Sequence, residues 1–185
     1  MIGTNVKLFA PGAYPTGATL VPTQVDSFFL DVTTLPANGM YTILVDPQFN
    51  KTRALTLNLY DVPPDLSIGM TLYSVTVLAP PNPLPEDKKT RLAIPFVGQA
   101  ANLTFSVPGN QSVTIHIREL KIAGEGINSS TLTLSTQSGT QVFTETINYG
   151  VDYPITRTLS AGNYVLKIDP QQAATGSLEI MLTTP

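Results

Sequence analysis

The chain is 185 residues long, 42% hydrophobic and 12% charged, with 16 Pro, 13 Gly and a formal net charge of −3; this supports one large or two small cores and excludes collagen, coiled coil and ordinary disorder. One His, no Cys and no Trp leave no thiol nucleophile, few metal ligands and little His-based acid–base chemistry, so composition argues for a binding or structural module and against an enzyme. The charge offers no basic field for phosphates, and Lys88-Lys89 is an isolated pair, so nucleic acid is not an expected partner.

From the N-terminus, Met1-Ile2-Gly3-Thr4 carries neither the basic nor the apolar region of a signal peptide, and Val6-Lys7-Leu8 is the first strand-like run. The stretch Gly39-Met40-Tyr41-Thr42-Ile43-Leu44-Val45-Asp46-Pro47-Gln48 reads as a turn glycine leading into a strand. Leu55-Thr56-Leu57-Asn58-Leu59 then alternates as a half-buried strand does. Val62-Pro63-Pro64-Asp65 and the run from Ala79 to Lys89 bracket a short strand, Ser74-Val75-Thr76-Val77-Leu78. Because runs of Pro favour extended polyproline geometry, residues 64–90 are expected to form a semi-rigid connector whose charged end is solvated.

Strand-like segments follow at 91–96, 101–107 and 112–118, and Pro108-Gly109-Asn110, Ser138-Gly139 and Ala161-Gly162-Asn163 mark turns between later runs. About eight short strands at roughly ten-residue spacing require an all-β fold, an antiparallel two-sheet sandwich or jelly roll. Its inward residues are expected to be Leu103, Phe105, Val113, Ile115, Ile117, Leu132, Leu134, Phe143, Tyr164, Leu166, Ile168, Leu178, Ile180 and Leu182. No apolar run approaches the ~20 residues that span a bilayer. Sequons at Asn50, Asn102, Asn110 and Asn128 are what a Ser/Thr-rich chain produces by chance.

An internal repeat organises these elements. Gly39, Tyr41, Asp46, Pro47 and Gln48 recur as Gly162, Tyr164, Asp169, Pro170 and Gln171 at a constant offset of 123, and in the same frame Leu55, Leu57 and Leu59 fall on Leu178, Ile180 and Leu182. Val6-Lys7-Leu8 corresponds to Leu132-Thr133-Leu134. The first copy lacks the three opening strands of the second. Residues 1–63 therefore read as the C-terminal half of a sandwich, 64–90 as the connector with one short strand, and 91–185 as a complete sandwich in tandem with the incomplete one. The expectation is that Met1 lies inside a longer polypeptide or that the chain is a fragment; alternatively, residues 66–78 fold back to complete the first half.

The run Gly39-x-Tyr41 to Pro47, followed by Leu55 to Pro63, resembles the repeat units of very large bacterial surface and secreted proteins, modules similar to the bacterial pre-peptidase C-terminal domain that also occur beside RHS/YD-repeat regions. Gly98-Gln99-Ala100-Ala101-Asn102-Leu103-Thr104-Phe105-Ser106 and Gly109-Asn110-Gln111-Ser112-Val113-Thr114-Ile115 resemble the opening strands of that module. The resemblance implies a sandwich fold, a secreted or cell-surface location and a non-catalytic spacer or adhesion role, and it carries over no catalytic residue.

Among individual residues, His116 shares its strand face with Thr114 and Arg118, opposite Val113, Ile115 and Ile117, and is expected to face solvent; no Gly-x-Ser-x-Gly accompanies it. Tyr41 and Tyr164 are expected to bury their rings and cap a nearby backbone loop through the hydroxyl, as a tyrosine corner does. Asp46 and Asp169, each before Pro, are expected to cap the following turn; calcium is the sharper alternative, but neither has an acidic neighbour. Glu119, Glu125, Glu145 and Asp152 read as solvated carboxylates rather than a glycosidase pair. Tyr60, Tyr73, Tyr149 and Tyr153 are the side chains from which a sugar-stacking platform could be built.

No catalytic, cofactor-binding or metal residue is assigned, and no cofactor is expected. The favoured function is a stalk or spacer whose partners are neighbouring modules of the same polypeptide. Two alternatives stand beside it: a glycan- or Ca-dependent ligand-binding module, and self-association in which the open half module accepts strands from another chain.

Overall fold

The computed structural model describes residues 4–13, 18–19, 22–23, 29, 35, 37–47, 54–75 and 86–185. The chain divides into two compact units, Met1–Tyr60 and Asp61–Pro185. Among the described residues it is β throughout apart from a short 3-10 turn, Glu86–Lys88, and no helix is long and apolar enough to cross a membrane.

In the first unit, β1 (Thr4–Phe9) pairs antiparallel with β2 (Ala18–Thr19) and β3 (Pro22–Thr23) along one edge and with β4 (Thr42–Pro47) along the other. Val6 and Phe9 are buried. The hydroxyl of Tyr41, just before β4, donates to the Ala37 carbonyl at 2.9 Å and accepts from the Ala37 N–H at 3.2 Å.

The second unit is a two-layer sandwich. One sheet runs β11 (Gln141–Asn148), β10 (Ser129–Thr136), β13 (Gly162–Pro170), β8 (Ala101–Val107) and β5 (Leu66–Gly69). The other runs β12 (Tyr153–Leu159), β9 (Gln111–Arg118), β14 (Gly176–Thr184) and β6 (Leu72–Ser74), with β7 (Thr90–Ile94) also paired to β14. Every residue expected to point inward is buried except Phe143, which packs partly buried against the core. Strand alternation alone selected them, because only one face of each sheet meets the other layer. Phe105 and Tyr164 sit opposite each other in the β8–β13 ladder and stack with centroids 5.6 Å apart. The Tyr164 hydroxyl donates to the Ser160 carbonyl at 3.0 Å, the loop-capping bond expected of it.

Three features differ from the sequence expectations. Of the short strand expected at Ser74–Leu78 only Ser74 and Val75 are described; just upstream, where connector was expected, two strands form, β5 and β6, and both pair parallel into the sandwich, β5 on β8 and β6 on β14. Residues 66–69 and 72–74 thus extend the sheets of the second unit; residues 76–85, which include most of the segment expected as the alternative completion of the first half, lie outside the described ones. The Pro63-Pro64-Asp65 end is tied down as well, since Asp65 accepts the Ala100 N–H at 3.0 Å and Pro64 O accepts from Gln99 Nε2 at 2.9 Å. Second, 54–60 forms no strand, and Leu55, Leu57 and Leu59 are 52%, 48% and 77% exposed. Their counterparts Leu178, Ile180 and Leu182 are buried because β9, β7 and β6 flank β14; no strand among the described residues of the first unit flanks 54–60. Third, Leu120 and Ile122, outside any strand, join the core.

That last segment crosses Gly176 at close range. Lys121 N–H donates to the Ser177 carbonyl at 2.8 Å, and a Cβ on Gly176, whose φ is +150°, would lie 2.0 Å from the Lys121 carbonyl oxygen and 2.8 Å from Ile122 Cα. Gly176→Ala is therefore expected to cost about 3 kcal/mol of unfolding free energy in urea titrations. Gly109→Ala, whose Cβ would meet nothing within 4 Å, is expected to change it by less than about 0.5 kcal/mol.

Candidate functional site

The outer face of the sheet containing β14 gathers six charged side chains of the second unit into one cleft. Alternation that turns Leu178, Ile180 and Leu182 inward turns Glu179 outward, and the ladders set it opposite Arg91 on β7 and Arg118 on β9. Arg91 Nε donates to Glu179 Oε1 at 2.9 Å, and Lys89 Nζ lies 3.4 Å from Oε2. Lys89 and Glu179 are nearly enclosed, with side chains 10% and 12% exposed, whereas Arg91 is 84% exposed. The charged end of the expected connector is thus only partly solvated: Lys88 pairs with Asp87 and lies over the Tyr73 ring, while Lys89 enters the sheet face. Lys89, Arg91, Arg118, Glu119, Asp152 and Glu179 line an open cleft of about 510 Å³.

His116 lies one step inward along the same face, opposite Met181, and its Nε2 is 2.9 Å from Thr183 Oγ1. It points away from the core as alternation requires, but it is half-buried rather than solvent-facing. Burial first, and the Arg118 charge second, hold its pKa below the ordinary imidazole value. For Glu179, burial pushes the carboxyl up, but hydrogen bonds from Arg91 and Lys89 outweigh it and leave the group below the usual carboxylate range. A carboxyl so held is a poor proton donor at neutral pH.

The other candidates are placed as follows. Glu119 accepts from Lys121 Nζ and shares the cleft with Asp152; Glu125 is exposed; Glu145, which accepts from Arg157 Nη2, is on β11. Asp169 takes the Lys167 ammonium at 2.7 Å instead of capping its turn, whose Gln171 N–H goes to the Ser129 carbonyl. Asp46 is exposed at the end of β4, and the turn it was expected to cap lies outside the described residues. Among the described residues no three His, Asp or Glu side chains converge as a metal cage needs. Tyr153 packs against the core with its hydroxyl accepting the Asn148 N–H at 2.8 Å, Tyr73 is half-buried beneath Lys88, Tyr149 is 50% exposed, and Tyr60 belongs to the other unit. The four tyrosines do not share one surface of the second unit.

Glu179, Lys89 and the pairing of Arg118 with Glu179 were not legible from sequence. The available signal was a lone acid in the apolar run Leu178-Glu179-Ile180-Met181-Leu182, but the cross-strand partner that gives it meaning depends on register.

Fold and site together define a β-sandwich module with a charged outer cleft. No family model matches the sequence, and no curated protein matches it. Among solved structures, the chain is similar to the pre-peptidase C-terminal domain of collagenase from Bacillus anthracis, at 15% identity over 68% of this chain and 99% of that one, with a TM-score of 0.43. It is similar also to PliG of Aeromonas hydrophila, a periplasmic inhibitor of g-type lysozyme, at 14% identity over 65% and 99% of the two chains and a TM-score of 0.34. The enzymatically active domain of tailspike protein 4 from bacteriophage CBA120 matches at 16% identity over 57% of this chain and 16% of that one, with a TM-score of 0.37. These likenesses are distant.

The His116 environment sets a pH dependence. Its folded-state pKa lies below the unfolded value near 6.5, so as pH falls the unfolded chain binds the proton first, and stability that is complete above that value is lost on descending through it toward the folded-state value. His116→Gln, which keeps a partner for Thr183, is expected to lose less stability than the parent chain between about pH 7.5 and about pH 5.5, read from urea midpoints.

Proposed function

We propose that the chain comprises two copies of one extracellular β-sandwich repeat, residues 1–63 corresponding to the C-terminal half of the first, and that it serves as a non-catalytic stalk or adhesion segment of a larger secreted or cell-surface bacterial protein. The observation that carries this reading is a shared register. Val6 pairs with Val45 and Leu8 with Ile43, while Leu132 pairs with Ile168 and Leu134 with Leu166; each β4 residue is displaced by 123 from its β13 counterpart. The tyrosine bond repeats at the same offset, Tyr41 to Ala37 and Tyr164 to Ser160, as do the glycines Gly39 and Gly162 with φ of +144° and +158°. A chain that repeats its strand order, register and capping bond repeats a folding unit, and such units in series act through their spacing and stiffness. The carboxylate chemistry agrees, since Glu179, Glu119 and Glu145 are each engaged by a cation.

A second reading, self-association by strand addition, is favoured by the exposed alternating leucines at 55, 57 and 59. Sedimentation over a wide concentration range separates the two. The spacer reading expects one constant monomer mass and no hydrolysis of polysaccharide or peptide substrates. Mass that rises with concentration and returns to monomer in Leu57→Lys would replace it with strand addition, and hydrolysis lost on Glu119→Gln or Asp152→Asn would overturn it altogether. The repeat itself is checked by Tyr41→Phe and Tyr164→Phe, each expected to remove about 1 kcal/mol from its own unit, as resolved by hydrogen exchange.

A further inference from the structure

The charges around the cleft leave one cation over. Glu179 holds Arg91 and Lys89, and Glu119 holds Lys121. Arg118 faces Glu179 across the β9–β14 ladder but makes no side-chain hydrogen bond or ion pair among the described residues. A guanidinium presents five donors in a fixed plane and cannot discharge by losing a proton, so a half-buried one on a cleft wall is suited to a planar oxyanion. The same lining supplies acceptors. Asp152 is exposed, and Glu119 is held there by a backbone φ of +49°, uncommon for a residue with a side chain.

The cleft also constrains what accompanies the oxyanion. Its lining is three cations and three carboxylates, so the local charge is close to zero and a polyanion gains nothing from it. Among the described residues no aliphatic or aromatic side chain lines it, which disfavours acyl chains, and about 510 Å³ is the size of small-ligand sites. One anionic group with several hydroxyls fits both the leftover guanidinium and the carboxylate rim.

We propose that this cleft binds an acidic saccharide, its carboxylate seated on Arg118 and its hydroxyls donating to Asp152 and Glu119. The site goes beyond the spacer reading and does not depend on it. Without an aromatic face to stack on, its affinity is expected to be weak, with a Kd of about 1 mM.

The test is an NMR titration of the full chain with a disaccharide of one galacturonate and one neutral sugar, its methyl ester and acetate. The disaccharide is expected to shift resonances of Arg118, Asp152 and their neighbours, while the ester and acetate bind at least about tenfold more weakly. Arg118→Ala is expected to lower disaccharide affinity by about tenfold or more and Arg118→Lys to restore part of it. Asp152→Asn, at an exposed position, should weaken the disaccharide without altering acetate, which keeps the test intact if Arg118→Ala fails to fold. Equal binding of acid and ester, acetate as tight as the disaccharide, binding unchanged in Arg118→Ala or Asp152→Asn, or no shifts up to about 20 mM would each overturn the site.

Discussion

Strand β14 is the member on which the second unit depends. Its inward residues Leu178, Ile180 and Leu182 lie in the core, β9 takes one of its edges, and the other is divided between β7 along the first half and β6 along the second. A strand hydrogen-bonded on both edges and packed on its inner face has a single tolerable register, because a shift of one residue would carry Glu179 into the core and expose three large aliphatic side chains. The same register puts Glu179 between Arg91 and Arg118. Core and cleft are two faces of one pairing decision.

The first unit shows what the alternation is worth without those neighbours. Leu55, Leu57 and Leu59 repeat the pattern of β14 in phase, yet they remain exposed and outside any strand. The pattern specifies which face would be buried and leaves open whether anything buries it; backbone ladders on both sides decide that, and they come from residues distant in sequence. By contrast β4, which matches β13 in sequence, finds its partner in β1 within the same unit and pairs in the register that β13 has with β10. Local sequence is equivalent in the two cases, and the difference lies wholly in long-range pairing.

The same division explains what sequence disclosed. Period-2 alternation identified the core residues from Leu103 to Leu182, and the Gly-x-Tyr signature located both tyrosine bonds, because each property is settled within a few residues of chain. The parallel strands β5 and β6 fell within residues read as connector, because Leu66–Gly69 and Leu72–Ser74 are short and lie between Pro-rich stretches, and only the open edges of β8 and β14 recruit them. Leu120 and Ile122 were missed because their burial depends on a crossing permitted by Gly176, more than fifty residues away. The Asp169 cap failed for a nearer reason: Lys167, two residues back on the same face, offers the carboxylate a charged donor, which binds it more strongly than a neutral turn N–H.

An edge strand offers unpaired backbone groups to other chains, and two of the outermost strands of the second unit, β11 and β12, carry devices that blunt this. In β11 the pairing passes from Leu134 opposite Phe143 to Ser135 opposite Gln141, so Val142 is an extra residue that bends the edge. Arg157 on β12, the edge of the other sheet, reaches to Glu145 on β11 and lies 4.8 Å from the centroid of the Phe143 ring, fastening the two edge strands together. Pro154 on β12 has no N–H to offer a further strand. With β11 and β12 fastened in this way and the inner faces committed to the core, Arg118 and its charged neighbours stand on an outer sheet face that the core residues do not use.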